Sequence, residues 1–176
     1  MFLKVELPWN VVIPPANLVA KGLMLKKSIS LRLLKGFAAN KATKDHGYFL
    51  AITTVESIGE GKVRRSGDVV YPVVFSCITF KLFRGEIIEG VVHHVLRNGV
   101  LMNCGPVENI FLYKDLMPDY RYVPGENPIF LNEKTGSKIV KDVLVRCVVL
   151  GTKWLEEERE FRGLVSLEGD YLGPVS

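Results

Sequence analysis

Histidine and cysteine, the side chains that most often carry metals and nucleophilic chemistry, are scarce in this chain, with three of each in 176 residues. No two cysteines are spaced as CxxC, and there is neither a GxxxxGK phosphate loop nor a GxSxG elbow. His93 and His94 are adjacent, so on a strand they are expected to face opposite ways and not to share a metal; His46 falls in a different domain. Glu86 and Glu89 flank Ile87-Ile88 and are likewise expected on opposite sides, as surface carboxylates rather than an acid–base pair. The expectation is no catalytic residue, no metal and no cofactor. Long apolar runs are missing too: stretches such as 69–75 are far shorter than the roughly 20 residues a membrane-spanning helix needs, so no membrane partner is expected. Pro8 and Asn10 interrupt the opening segment where a secretory signal would be unbroken, and the chain is expected to stay inside the cell. Cys77, Cys104 and Cys147 are odd in number and each lies in an apolar run, which reads as buried, reduced thiols.

What is present is core-forming material and an uneven charge. Apolar residues make up 48% and charged residues 24%, a balance that builds packed domains rather than disorder. Residues 1–80 carry 11 Lys or Arg against 5 acids, a net +6, whereas residues 81–176 carry 12 against 14, a net −2. Non-specific affinity for nucleic acid comes mainly from neutralising phosphates, so any RNA surface in the second half is expected to bind weakly and with modest salt dependence.

In the first half, Phe2, Val5 and Leu7 lead to Pro8, and Val11 to Ile13 lead to Pro14-Pro15, an opening strand with a break or bend. A helix is expected from about Leu18 to Ala39, with Lys21, Ser28, Arg32 and Lys35 as a narrow polar stripe. Leu23, Leu25, Ile29, Leu33, Leu34 and Phe37 spread over the rest. Ordinary sheet packing and a partner covering the remainder both account for that pattern. Residues 47–55 alternate as a strand, and residues 69–83 read as a longer one able to link two domains as a shared element. Between them, residues 57–68 hold Gly59, Gly61 and Gly67 around Lys62, Val63, Arg64 and Arg65, the composition of a flexible projecting loop.

In the second half, residues 85–113 are the most informative. Val91, Val92 and Val95 lead to Asn98-Gly99, a hairpin signal, and Val100 to Met102 return before Gly105-Pro106 turns the chain again. Gly90 and Gly99 fall inside or beside strands, where a missing Cβ permits the coiling and close backbone approach of a small closed barrel. Further strands are expected at 142–151 and 159–167. Residues 114–140 form a Pro- and Gly-bearing insertion with a short strand at 129–131, anchored by Tyr120, Tyr122 and Phe130. Trp154 and the charged run at 156–160 mark the last hairpin, read as a solvated turn or a partner contact.

This stretch resembles the S1-type OB fold, whose pattern runs G-x-V-x-G-x-V and then an aromatic-Gly-x-aromatic hairpin. With the flanks MFLKVELPWNVVIPP, ITTVESIGEGKV, YPVVFSCITFKLFRGE, GTKW and SLEGDYLGPVS, the whole order resembles the seventh subunit of the eukaryotic nuclear RNA polymerases. PGENPIFLNEKT and LPWNV look closer to the plant polymerase V and IV versions than to the polymerase II version. The resemblance implies an α+β chain of two domains: an N-terminal truncated RNP-like sheet with one helix over 1–80, and a C-terminal S1-type OB-fold β-barrel over 81–176. It implies a non-catalytic stalk subunit of the nucleus that pairs with the fourth polymerase subunit. Such a subunit docks on the core (largest, second and sixth subunits) near the clamp and guides nascent single-stranded RNA.

In that family the tip wedges into the core, which makes Gly59, Gly61, Lys62, Val63, Arg64, Arg65 and Pro72 candidate contacts, the glycines letting backbone approach the partner. A solvated hairpin end is the alternative. On the barrel, the two ring positions of the S1-type hairpin are held by Asn98 and Leu101, and only the third, Phe111, keeps a ring. Arg97, Tyr113 and Lys114 lie nearby and complete the candidate RNA surface. Phe111 alternates with Ile110 and Leu112; core packing and an exposed platform both stay open for it. A free-standing S1-type RNA-binding protein is the other class considered, but it calls for a basic barrel with intact rings.

Overall fold

The computed structural model describes residues 1–18 and 23–175. The chain divides into two compact units, residues 2–81 and the residues from Leu82 onward together with Met1. Among the described residues the architecture is the expected α+β arrangement, a sheet carrying one α-helix and a closed barrel.

In the first unit β1 (Phe2–Ile13), β2 (Ala42–Thr43), β3 (Gly47–Ile58) and β5 (Val69–Phe80) form an antiparallel sheet in the order β1-β5-β3-β2. The short β4 (Lys62–Val63) adds to β5. Pro8 does not break β1. The strand pairs with β5 without a register shift from Phe2 opposite Phe80 to Ile13 opposite Val69. β1 lies at the sheet edge, where alternate N–H groups face no strand, so a missing donor is tolerated. β5 stops at Phe80, inside this unit, rather than continuing to Phe83 as a shared element.

The expected alternation of β3 is replaced by a period of three. Phe49, Ile52, Val55 and Ile58 pack toward the core while the pairs between them are exposed. The register shifts between Phe49 and Ala51, Ile52 and Thr54, and Val55 and Ser57. Each bulge sets two β3 residues against one of β5, so both turn away before the next returns inward.

The helix α1 is described over Leu23–Ala39; Leu18 instead ends a single 3-10 turn at Pro15–Asn17. Residues 19–22, with Lys21 of the anticipated polar stripe, lie outside the described residues. Ile29, Leu33 and Phe37, one turn apart, are buried on the sheet, with Leu25 half-buried in the same line. Asn40 closes the helix by donating from its side-chain amide to the Gly36 carbonyl at 3.0 Å, filling one acceptor the helix end leaves open. At the centre Trp9, Phe37, Phe49 and Phe75 contact one another, with Trp9 and Phe75 centroids 5.1 Å apart. Truncating a fully buried ring such as Phe75 costs about 3–5 kcal/mol, a large part of what a domain of this size has.

The second unit is built on β6 (Ile87–Leu96), β7 (Gly99–Cys104), β8 (Val107–Tyr113), β12 (Leu144–Leu155) and β13 (Glu160–Ser166). Pairing runs β6-β7-β8-β13-β12 and back to β6, which closes the barrel; β8 and β13 are parallel and the other pairs antiparallel. Within the barrel β12 serves two neighbours, β6 and β13. Leu144–Val148 pair with β6, Val148–Leu155 pair with β13, and a bulge between Val149 and Gly151 re-aims the strand between them. Val92, Val100, Met102, Ile110, Leu112, Val145, Cys147 and Val165 fill the interior with no exposed surface. The insertion holds more order than the single short strand expected: β9 (Tyr120–Val123), β10 (Ile129–Asn132) and β11 (Lys138–Ile139) make a small sheet. Near the C-terminal end β14 (Gly173–Pro174) pairs with β12 at Val145 and Arg146. Tyr122 meets the buried Phe130 edge-to-face with centroids 5.5 Å apart, and the Asn132 carboxamide oxygen accepts from the backbone of Lys134 and Thr135 to fix the turn.

Candidate functional site

β7 lies between β6 and β8, and its outer face collects the candidate RNA residues. Leu101 stands opposite His94 on one side and Phe111 on the other; the parallel pairing of β13 then sets Leu164 beside Phe111. One row further, Leu96 faces Gly99 and Gly99 faces Tyr113. The two-residue loop of this hairpin is Arg97-Asn98, with Gly99 already in the strand, not the Asn98-Gly99 turn the sequence signals. Gly99 is required for another reason. A Cβ there would stand 2.3 Å from the Leu112 carbonyl oxygen and 2.9 Å from Phe111 Cζ, so the Phe111 ring lies across the gap the glycine leaves.

Phe111 is therefore neither core nor freely projecting. It is half-buried, as are Leu101 and Tyr113, and its ring sits 5.9 Å from that of Tyr113. Arg97, Asn98 and Lys114 are exposed, and the Asn98 carbonyl accepts from the Lys114 N–H at 3.0 Å, tying the hairpin loop to the end of β8. Lys114 borders an open recess of about 640 Å³ that Tyr122, Arg121 and Lys134 also line. Arg121 and Lys134 are paired with Glu133 and Asp119 at 3.0 and 3.2 Å, which reduces what they offer a phosphate.

The histidines depart from their expected placement. A bulge between Val92 and His94 turns both rings to one side, with their Nδ1 atoms 2.6 Å apart. His93 Nε2 lies 3.1 Å from the Glu108 carbonyl, which can only accept. No group of three or more metal-ligating side chains occurs among the described residues. Glu89 pairs with Arg146 at 2.7 Å, and Glu86, just before β6, accepts from the Phe83 N–H. All three thiols are free; Cys77 and Cys147 are buried as expected, whereas Cys104 is only half-buried. Burial raises those of Cys77 and Cys104 and pushes Cys147 up to about 12, which keeps it protonated near neutrality.

The tip of the first unit is a hairpin tied through its own backbone. β4 pairs Lys62 with Val70 and Val63 with Val69. The Gly59 N–H donates to the Pro72 carbonyl at 2.7 Å, Arg64 N–H to Asp68 at 2.8 Å, and the Ser66 hydroxyl to the Asp68 carboxylate at 2.8 Å. Gly59 and Gly61 are spent on this internal closeness: a Cβ would stand 2.7 Å from Pro72 Cγ at one and 2.7 Å from the Tyr71 ring and Val69 at the other. Lys62, Val63, Arg64, Arg65 and Pro72 are exposed around them.

Sequence reasoning missed Leu164 and His94 on the barrel face. Leu164 arrives through a pairing between strands some fifty residues apart, which no local pattern marks. His94 turns on a bulge that only the register reveals.

A sheet-and-helix unit joined to a closed S1-type barrel defines the class of chain. Residues 8–68 match the family model described as the SHS2 domain found in the N terminus of Rpb7p/Rpc25p/MJ0397. Over all of this chain and 99% of the relative, it is 62% identical to DNA-directed RNA polymerase V subunit 7 of Arabidopsis thaliana. It is 49% identical to RNA polymerase IV subunit 7 of the same plant, over 99% of both chains, and 34% identical to its RNA polymerase II subunit 7, over all of this chain and 97% of that one. The chain belongs to the family of subunit 7 of the DNA-directed RNA polymerases, a non-catalytic subunit.

Proposed function

We propose that the chain is the stalk subunit of a plant nuclear RNA polymerase V or IV, serving noncoding transcription for RNA-directed DNA methylation. The observation that carries this reading is the graded identity over the full length: 62% to the polymerase V subunit and 49% to the polymerase IV subunit, against 34% to the polymerase II one. In this reading the chain pairs with the fourth subunit and works in the nucleus. The exposed tip, with Lys62, Val63, Arg64, Arg65 and Pro72, docks on the polymerase core near the clamp, against the largest, second and sixth subunits. Gly59 and Gly61 shape that tip. The barrel face with Arg97, Asn98, Leu101, Phe111, Tyr113 and Lys114 guides nascent single-stranded RNA, bases stacking on Phe111 and Tyr113. The half-buried rings and the net −2 of that half support contact dominated by stacking.

Affinity purification of the tagged chain, followed by identification of the co-purified largest subunit, tests the assignment. Recovery of the polymerase V or IV largest subunit is expected. Recovery of the polymerase II largest subunit alone, or of no polymerase, overturns it.

A further inference from the structure

Helix α1 has two apolar faces. One, with Ile29, Leu33 and Phe37, is buried on the sheet. At 100° per residue Met24, Leu31, Leu34 and Ala38 fall on the diametrically opposite side, with Lys27 among them. That second face is open: Met24 is 69% exposed, Leu31 50% and Leu34 49%. The spacing 24–27–31–34–38 alternates steps of three and four, the seam by which one helix seats another.

Charge narrows the occupant. Lys26, Lys27, Arg32 and Lys35 are all exposed on α1, and no Asp or Glu occurs between Glu6 and Asp45, a span holding seven Lys or Arg. A second copy of the chain would bring the same cations face to face, which is unfavourable. RNA would meet the cations, but the stripe between them is aliphatic and offers no ring for a base.

We propose that this stripe seats an acidic amphipathic helix of another subunit of the assembly, its apolar ridge on Met24, Leu31 and Leu34 and its carboxylates over Lys27, Arg32 and Lys35. The inference rests on the reading of the chain as a polymerase subunit but assigns a surface distinct from the tip and the barrel face.

The test places the photo-crosslinking residue p-benzoylphenylalanine at position 31 of the tagged full chain, in the assembled polymerase, and maps the crosslinked peptide. The expected product joins position 31 to a segment of another subunit with apolar residues at three- and four-residue spacing and flanking Asp or Glu. The paired substitution Leu31→Glu with Leu34→Glu should then lower recovery of that subunit at least about tenfold. Reversing its carboxylates to Lys should be rescued by Lys27→Glu with Lys35→Glu. A crosslink to RNA, to a second copy, or to a segment without acids overturns the proposal, as does the absence of any product. Because a single exposed replacement reads the contact, the outcome stands even if the double Glu variant fails to fold. Co-purification of the largest subunit separates the two failures: without it the functional reading falls and this inference with it; with it and no crosslink, only the helix seat falls.

Discussion

Gly99→Ala adds one methyl group where the barrel has no space for it. An ideal Cβ at Gly99 would lie 2.3 Å from the Leu112 carbonyl oxygen, 2.9 Å from Phe111 Cζ and 3.1 Å from Tyr113 Cα. Two of these three are backbone atoms of β8, which cannot move without opening the ladder to β7; only the Phe111 ring can swing aside. Overpacking costs typically about 1–3 kcal/mol, and an obstacle made of backbone places this substitution at the upper end, about 3 kcal/mol. For a unit of this size each kcal/mol lowers the melting temperature by about 4–8 °C, so a fall of about 12–24 °C is expected. The two tryptophans make the measurement specific, because Trp9 lies in the first unit and Trp154, its ring tilted against Phe161 with centroids 4.8 Å apart, in the second. Fluorescence melts in a Trp9→Phe background therefore follow the barrel alone. Adding Phe111→Ala removes the mobile obstacle and leaves the fixed one, so it should recover less than about 1 kcal/mol. A Gly99→Ala melt within error of the parent, or full recovery in the double variant, would refute the argument that the carbonyl sets the glycine.

Phe111→Ala should weaken single-stranded RNA binding by about 1–3 kcal/mol with a shallow salt slope, and rings restored at Asn98 and Leu101 should tighten it; anisotropy titrations at two salt concentrations check this, and unchanged affinity in a folded variant removes Phe111 from the surface. Replacing Lys62, Arg64 and Arg65 by Glu should weaken association with the polymerase core and leave pairing with the fourth subunit intact, since all three are exposed on a hairpin tied through its own backbone; pull-downs in which the heterodimer is lost instead would contradict it. Burial raises the Cys147 thiol from 9.0 to about 12, so its contribution to stability is complete below about pH 9 and is lost as pH rises toward 12, where the unfolded thiol ionises first. Alkaline denaturation of the barrel compared with Cys147→Val checks the sign: the variant should lose less stability over that range, and identical profiles would mean the thiol is not held protonated.

Local chemistry made the barrel legible and long-range register made the rest opaque. Gly105-Pro106 stands in a two-residue loop, and valines on either side of the Arg97-Asn98 loop mark strands by composition alone. The period of three in β3 cannot be read from GYFLAITTVESI, because each bulge is defined by which β5 residue stands opposite. The same limit misplaced His93 and His94, whose adjacency argues for opposite faces until the bulge is known. Gly59 and Gly61 were visible as exceptional, yet their cause lies in Pro72, Tyr71 and Val69, brought alongside by the return strand. In α1 the near-continuous apolar composition was plain, but only burial sorts Leu33 into the core and leaves Leu31 and Leu34 outside it.

The barrel face and its charge fit a particular division of labour under the proposed function. Stacking a base on a ring is worth about 1–3 kcal/mol, so two rings such as Phe111 and Tyr113 supply roughly 2–6 kcal/mol before ordering costs. Binding at 1 mM corresponds to about 4 kcal/mol, so a free barrel of this kind holds RNA at roughly millimolar affinity. Tethering changes the arithmetic: a transcript emerging beside a docked stalk experiences an effective concentration of the order of millimolar, enough to occupy such a surface without any tight site. A basic barrel would hold any RNA in solution, through phosphate contacts that do not depend on attachment to the enzyme. The net −2 of residues 81–176 and the pairing of Arg121 and Lys134 with carboxylates work against that. Contact confined to the enzyme's own transcript then follows from weakness rather than from base recognition, which is why the salt slope of binding, more than its strength, distinguishes a guide surface from an independent RNA-binding protein.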